Sequence, residues 1–172
     1  LWRKGRRMDD VPGRILLIED NPGDARLIEE MLSDAGGRLF HLVRVERLSA
    51  GLERLAAGDI AAVLLDLGLP DSQGFETFDR VRRQAPHLPI IILTGKDDEE
   101  LAIKAVRQGG QDYLVKGLID DRLLARTLRY GIERKRAEEA LQEAERKYRT
   151  LVERLPLVVY TSDQAHSSVE KA

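Results

Sequence analysis

The sequence predicts an α/β fold, a doubly wound five-stranded parallel sheet with a long C-terminal helical extension. Three observations carry that prediction. Apolar, β-branched-rich runs of strand length alternate five times with segments of helical length. Three of the runs are nearly all apolar, as strands covered on both faces should be. Beyond about residue 120, a helix-favouring stretch reaches residue 155 without a proline and with Gly131 as its one glycine.

The elements follow in order. A first strand covers about Arg14 to Glu19. A helix from about Pro22 to Ala35 has Leu27, Ile28, Met31 and Leu32 on one face, and Gly36-Gly37 stop it. A second strand spans Arg38 to Val45, and a second helix starts after Ser49, the expected N-cap, and ends near Gly58. The third strand, Ala61 to Asp66, leads through Gly68-Leu69-Pro70-Asp71-Ser72 to a helix over about Gly74 to Gln84. The fourth strand is Pro89 to Thr94, with a helix over about Asp98 to Gln108. The fifth strand is Asp112 to Val115. Strands alternating with helices of this length imply right-handed crossovers and a parallel sheet with helices on both faces.

The expected organisation has four parts. Residues 1–12 form a disordered or artificial leader, with Met8 a candidate start; residues 13–119 form the α/β domain. Residues 120–155 form one long signalling or coiled-coil helix, and residues 156–172 are the truncated start of a following domain or a disordered tail. Within the helix, Leu123, Tyr130, Ala137, Leu141, Ala144, Tyr148, Leu151 and Leu155 recur in steps of three and four, with Thr127 and Arg134 as weaker members. That is the a/d pattern of a heptad. At 1.5 Å per residue the helix is about 50 Å long. A domain of this size has a radius of gyration of only about 13–14 Å, so the far half needs another partner or stands in solvent. The stripe predicts a homodimer through the C-terminal helix.

Bulk properties narrow the function classes. A net charge of −2 over 172 residues gives no reason to expect direct nucleic-acid binding or an anionic membrane surface. The basic start, Arg3-Lys4-Gly5-Arg6-Arg7, lacks the apolar stretch of a signal peptide. No apolar run is long enough to span a bilayer. The absence of cysteine excludes disulfides and thiolate metal sites, and a cytoplasmic location is expected. His41, His87 and His166 are scattered and belong to no motif.

Four of the strands end in polar residues. In an open parallel sheet the ligand site lies beyond the carboxyl ends of the strands. Glu19 and Asp20 after the first strand, Asp66 ending the third, Thr94 ending the fourth and Lys116 after the fifth should therefore converge. The three carboxylates offer oxygen-only ligands, the donor set a hard cation such as Mg²⁺ prefers. Asp66 can act as a nucleophile toward a phosphoryl group. Thr94 can donate to a phosphoryl oxygen, and Lys116 supplies a compact positive charge.

These residues, in Leu-Leu-Asp-Leu-Gly-Leu-Pro-Asp, Leu-Thr-Gly and Asp-Tyr-Leu-Val-Lys with the pair Glu19-Asp20, resemble the receiver domain of two-component response regulators, a flavodoxin-like fold. The resemblance covers about Gly13 to Leu124. It implies phosphorylation of Asp66 and Mg²⁺ held by Glu19, Asp20, Asp66 and the Gly68 backbone carbonyl. It also implies contact of Thr94 and Lys116 with the phosphoryl group, and a switch formed by Thr94 and Tyr113. The implied partner is a histidine kinase or a histidine phosphotransfer protein, and the implied protein is not an enzyme, beyond slow self-dephosphorylation. One departure stands out: Gly117 follows Lys116 where the family usually has a cis proline, so a trans bond is expected. The segment from Tyr148 to Tyr160 more briefly resembles a signalling linker entering a PAS-type domain. Two other readings compete. An aspartyl phosphatase of the haloacid dehalogenase type would need an acid two positions after Asp66, where Gly68 stands. A phosphorylation-independent dimerisation module would rest on the helix alone.

Overall fold

The computed structural model describes residues 13–34, 40–95 and 98–154. The elements in chain order are β1 (Gly13–Ile18), α1 (Pro22–Asp34), β2 (Phe40–Val45), α2 (Leu48–Ala56), β3 (Ile60–Asp66), β4 (Gly68–Leu69), β5 (Ser72–Gln73), α3 (Phe75–Gln84), β6 (Ile90–Thr94), α4 (Glu99–Arg107), β7 (Asp112–Val115) and α5 (Asp121–Arg154). The chain divides into two compact units, residues 1–139 and 140–172.

In the first unit, β2-β1-β3-β6-β7 form one five-stranded sheet, and every pairing in it is parallel. The strand order steps outward from β1 in one direction and from β3 in the other. The reversal places a crevice at the carboxyl ends of β1 and β3, where the acidic residues lie. Alternate residues of the central strands feed two cores. Leu16, Ile18, Val63, Leu65, Ile90 and Ile92 pack with α2, α3 and α4 residues such as Leu55, Phe78 and Ala102. On the other face, Ile15, Leu17, Leu64, Ile91 and Leu93 meet Ile28 and Leu32 of α1 and Leu124, Leu128 and Ile132 of α5. The edge strand β2 is only partly buried, in keeping with its mixed sequence.

Three local readings change. No side chain caps α2 from its own N-terminus; Arg47, not Ser49, is the flanking residue. The Asp71 carboxylate instead accepts from the Leu48 N–H at 2.8 Å and the Ser49 N–H at 2.9 Å. The loop after β3 contains a small antiparallel pair, β4–β5, which the sequence reading left irregular. Two early members of the heptad stripe also belong to the domain: Thr127 is buried, and Leu123 packs against the α1-side core. The expected helix stop at Gly36-Gly37, the leader and the run 157–161 lie outside the described residues.

Gly131 has a packing reason. A Cβ there would stand 3.0 Å from Gln111 Cγ and 3.2 Å from Pro89 Cβ, so the missing side chain lets α5 approach those residues closely.

Candidate functional site

The site is assembled from the strand ends upward. After β1 the chain turns through Glu19, Asp20 and Asn21. The Asn21 Oδ1 accepts from the N–H of Gly23 at 2.8 Å and of Asp24 at 3.3 Å, capping α1. The Asn21 N–H donates to Glu19 Oε1 at 3.0 Å, which fixes the Glu19 carboxylate inside the turn. Asp66 ends β3, and the Gly68 N–H donates to its Oδ1 at 2.7 Å. The Lys116 N–H donates to the Thr94 carbonyl at 2.8 Å, which locks the ends of β6 and β7 together.

This scaffold brings Glu19, Asp20, Asp66, Thr94 and Lys116 to one edge of the sheet. One oxygen from each of Glu19, Asp20 and Asp66 lies within 4.8 Å of the others. The Lys116 ammonium bonds Asp66 Oδ2 and lies 2.6 Å from Glu19 Oε2. Glu19 is fully buried, and its Oε2 is paired with the Lys116 ammonium. Three carboxylate oxygens within 4.8 Å of one another, one of them on a buried acid, form an oxygen-only donor set that fits a hard cation. Glu19, Asp20 and Asp66 are the side chains that could hold it.

The electrostatics match the geometry. Burial pushes the Glu19 carboxyl up to about 7; hydrogen bonding from Lys116 opposes this, and the Asp66 charge adds to it. Burial alone would pull the Lys116 ammonium down, but its hydrogen bonds to Asp66 and Glu19 outweigh that and hold it above its usual range.

Thr94 is buried at the end of β6, and its hydroxyl donates to the Gly95 carbonyl at 3.0 Å rather than to Asp66. Tyr113 is half-buried, and its hydroxyl donates to Glu99 Oε1 at 2.8 Å, at the start of α4. Gly117 sits at φ +83°, a left-handed conformation that favours glycine, and no cis peptide occurs among the described residues. His41 and His87 are exposed and away from any such cluster.

One side chain at this edge was missed in the sequence. Asp24, in the first turn of α1, lies with its Oδ2 3.0 Å from the Lys116 ammonium. Its place four residues past Asp20, in the first turn of α1, was the available signal.

Residues 15–128 match the response regulator receiver domain. The chain belongs to the response regulator receiver family. Among curated relatives, the cell cycle transcriptional regulator CtrA of Caulobacter vibrioides is 33% identical over 113 residues, 66% of this chain and 48% of that one. The transcriptional regulatory protein TcrA of Mycobacterium tuberculosis is 36% identical over 126 residues, 71% of this chain and 47% of that one. The chain thus spans less than half the length of these relatives. Among solved structures, a response regulator receiver domain protein from Clostridium thermocellum superposes with a TM-score of 0.65 at 26% identity, over 73% of this chain and 98% of that one. A sensor protein from Polaromonas sp. JS666 gives 0.62 at 31% identity, over 72% and 98%. The flavodoxin-like receiver fold read from the sequence is therefore the fold of this chain. No helix among the described residues is long and apolar enough to cross a membrane.

Proposed function

We propose that this receiver takes a phosphoryl group on Asp66 from a histidine kinase or histidine phosphotransfer protein in the cytoplasm, and relays that state through α5. The observation that carries the reading is the Lys116–Asp66 contact beside the clustered carboxylates of Glu19 and Asp20. A carboxylate oxygen of Asp66 attacks phosphorus as the bond to the donor's leaving group breaks. The Gly68 N–H and the Lys116 ammonium hold the Asp66 carboxylate in place before attack. Glu19, Asp20, Asp66 and the Gly68 carbonyl would hold Mg²⁺, which would supply charge neutralisation at the phosphoryl oxygens. Lys116 then pairs with the phosphoryl group. Thr94 exchanges its bond to Gly95 for one to a phosphoryl oxygen, and Tyr113 leaves Glu99 as the hydroxyl moves. This is a shift between two arrangements of one fold, not turnover catalysis. The output is a further domain after α5, whose opening the run 157–161 resembles.

Acetyl phosphate with Mg²⁺ tests the acceptor. Mass spectrometry should find one added phosphoryl group on the wild-type chain and none on Asp66→Asn. Labelling of that variant at the wild-type rate would sink the assignment.

A second reading, a dimerisation module indifferent to phosphorylation, is favoured by the exposed Leu141, Tyr148 and Leu151. It predicts one oligomeric state with and without phosphodonor, whereas the receiver reading predicts that the dimer's packing responds to it.

A further inference from the structure

Lys116 faces three carboxylates, and only two of them belong to the acceptor and metal set. Its Nζ bonds Asp66, lies 2.6 Å from Glu19 and lies 3.0 Å from Asp24. An ammonium has three N–H donors. All three are drawn to carboxylates before any phosphoryl group arrives.

Asp24 is the carboxylate of the three with no second task in the site. It could be a helix-end acid, since its charge lies in the first turn of α1 and complements the helix dipole there. That role does not account for its placement. The N–H groups of Gly23 and Asp24 are already capped by Asn21 Oδ1. The Asp24 side chain, about one-third exposed at 36%, instead reaches the ammonium. The same residue borders the narrow crevice that Leu27, Lys116 and Gly117 line between α1 and the turn after β7.

We propose that Asp24 is a positioning residue that holds Lys116 on the α1 side of the site and competes with the incoming phosphoryl group for its ammonium. The proposal rests on the phosphoacceptor reading of Asp66. Phosphorylation requires Lys116 to turn its donors toward a group carrying about two negative charges. An Asp24 carboxylate 3.0 Å away opposes that turn and adds its own repulsion to an anionic donor. Asp24 therefore restrains the rate at which Asp66 is loaded.

The test compares the full chain and Asp24→Asn at saturating Mg²⁺, with acetyl phosphate as the doubly charged donor and phosphoramidate as the singly charged one. The variant should be labelled about two- to fivefold faster by acetyl phosphate at low salt, the range a partly exposed ion pair supports. The gain should shrink with phosphoramidate and at high salt, where the charge is screened. A helix-end role would lower the melting temperature without changing the salt dependence of labelling. A labelled wild type with an equal or slower variant, or a gain indifferent to salt, overturns the role of Asp24 alone. A wild type that takes no phosphoryl group from either donor overturns both readings.

Discussion

Glu19 carries a strong electrostatic constraint at the residue scale. Its carboxyl is pushed up to about 7, chiefly by burial, from an ordinary value of 4.5. A folded-state value above the unfolded one means the group favours folding most fully below about pH 4.5, and that contribution is lost as pH rises through about 7. A cation needs the ionised form, so Mg²⁺ binding has the opposite dependence. Mg²⁺ should therefore raise the melting temperature more above pH 7 than below it, and binding below that value should release a proton to buffer. Calorimetry in two buffers of different ionisation heat reads the proton directly. An Mg²⁺ affinity that stays constant across that range would remove Glu19 from the ligand set. The identity of these acids was plain in the sequence because each follows an apolar strand run. The charge state of Glu19 was not, since it depends on burial that only the packed turn creates.

At the scale of elements, the chain pins its loops with side chains from neighbouring segments. Asp71, in the turn between β4 and β5, caps α2 from outside the helix. Those two N–H bonds, Ser49 first, hold its carboxyl at about 2, below the ordinary 3.8. A depressed value stabilises the fold above about pH 3.8 and is lost as pH falls toward about 2. Asp71→Ala should cost about 1 kcal/mol, the usual worth of an N-cap. Urea unfolding near neutral pH measures it, and the difference between the two proteins should vanish in strong acid. A variant as stable as wild type would show that the helix end is satisfied by water instead. Sequence patterns gave the five strands and five helices with boundaries shifted by one or two residues, because apolar periodicity is a local signal. The Asp71 cap was invisible to it, since Asp71 and Leu48 are 23 residues apart and meet only through the crossover. The brief β4–β5 pair was also unreadable, since two-residue strands carry no periodicity.

At the scale of the whole molecule, the unspent feature is the apolar stripe of α5. In the first unit the helix buries Leu124, Ala125, Leu128 and Ile132, while Tyr130 stays 66% exposed. By helical phase, Tyr130 lies nearly opposite Ile132, so the receiver core already has its face of this helix. In the second unit, Leu141, Tyr148 and Leu151 are each more than 60% exposed, with Val152 beside them. The heptad read from the sequence therefore begins in earnest at Tyr130, after Leu123 and Thr127 have been taken into the domain. Glu143–Lys147 at 2.7 Å and Arg134–Glu138 at 3.0 Å support the helix at i,i+4 spacing, by a few tenths of a kcal/mol each. That cannot offset exposure of several large apolar side chains. We propose that a second copy of the helix, parallel and in register, covers them. Burying one leucine is worth about 1.5–3 kcal/mol. Leu141→Lys with Leu151→Lys removes two per chain and should raise the dimer dissociation constant by more than about a hundredfold. Sedimentation at micromolar concentration should find a wild-type dimer and a monomeric double variant with an unchanged receiver fold by circular dichroism. A wild-type monomer, or a double variant that dimerises as tightly as wild type, would leave the stripe to some other partner and remove α5 as the seam.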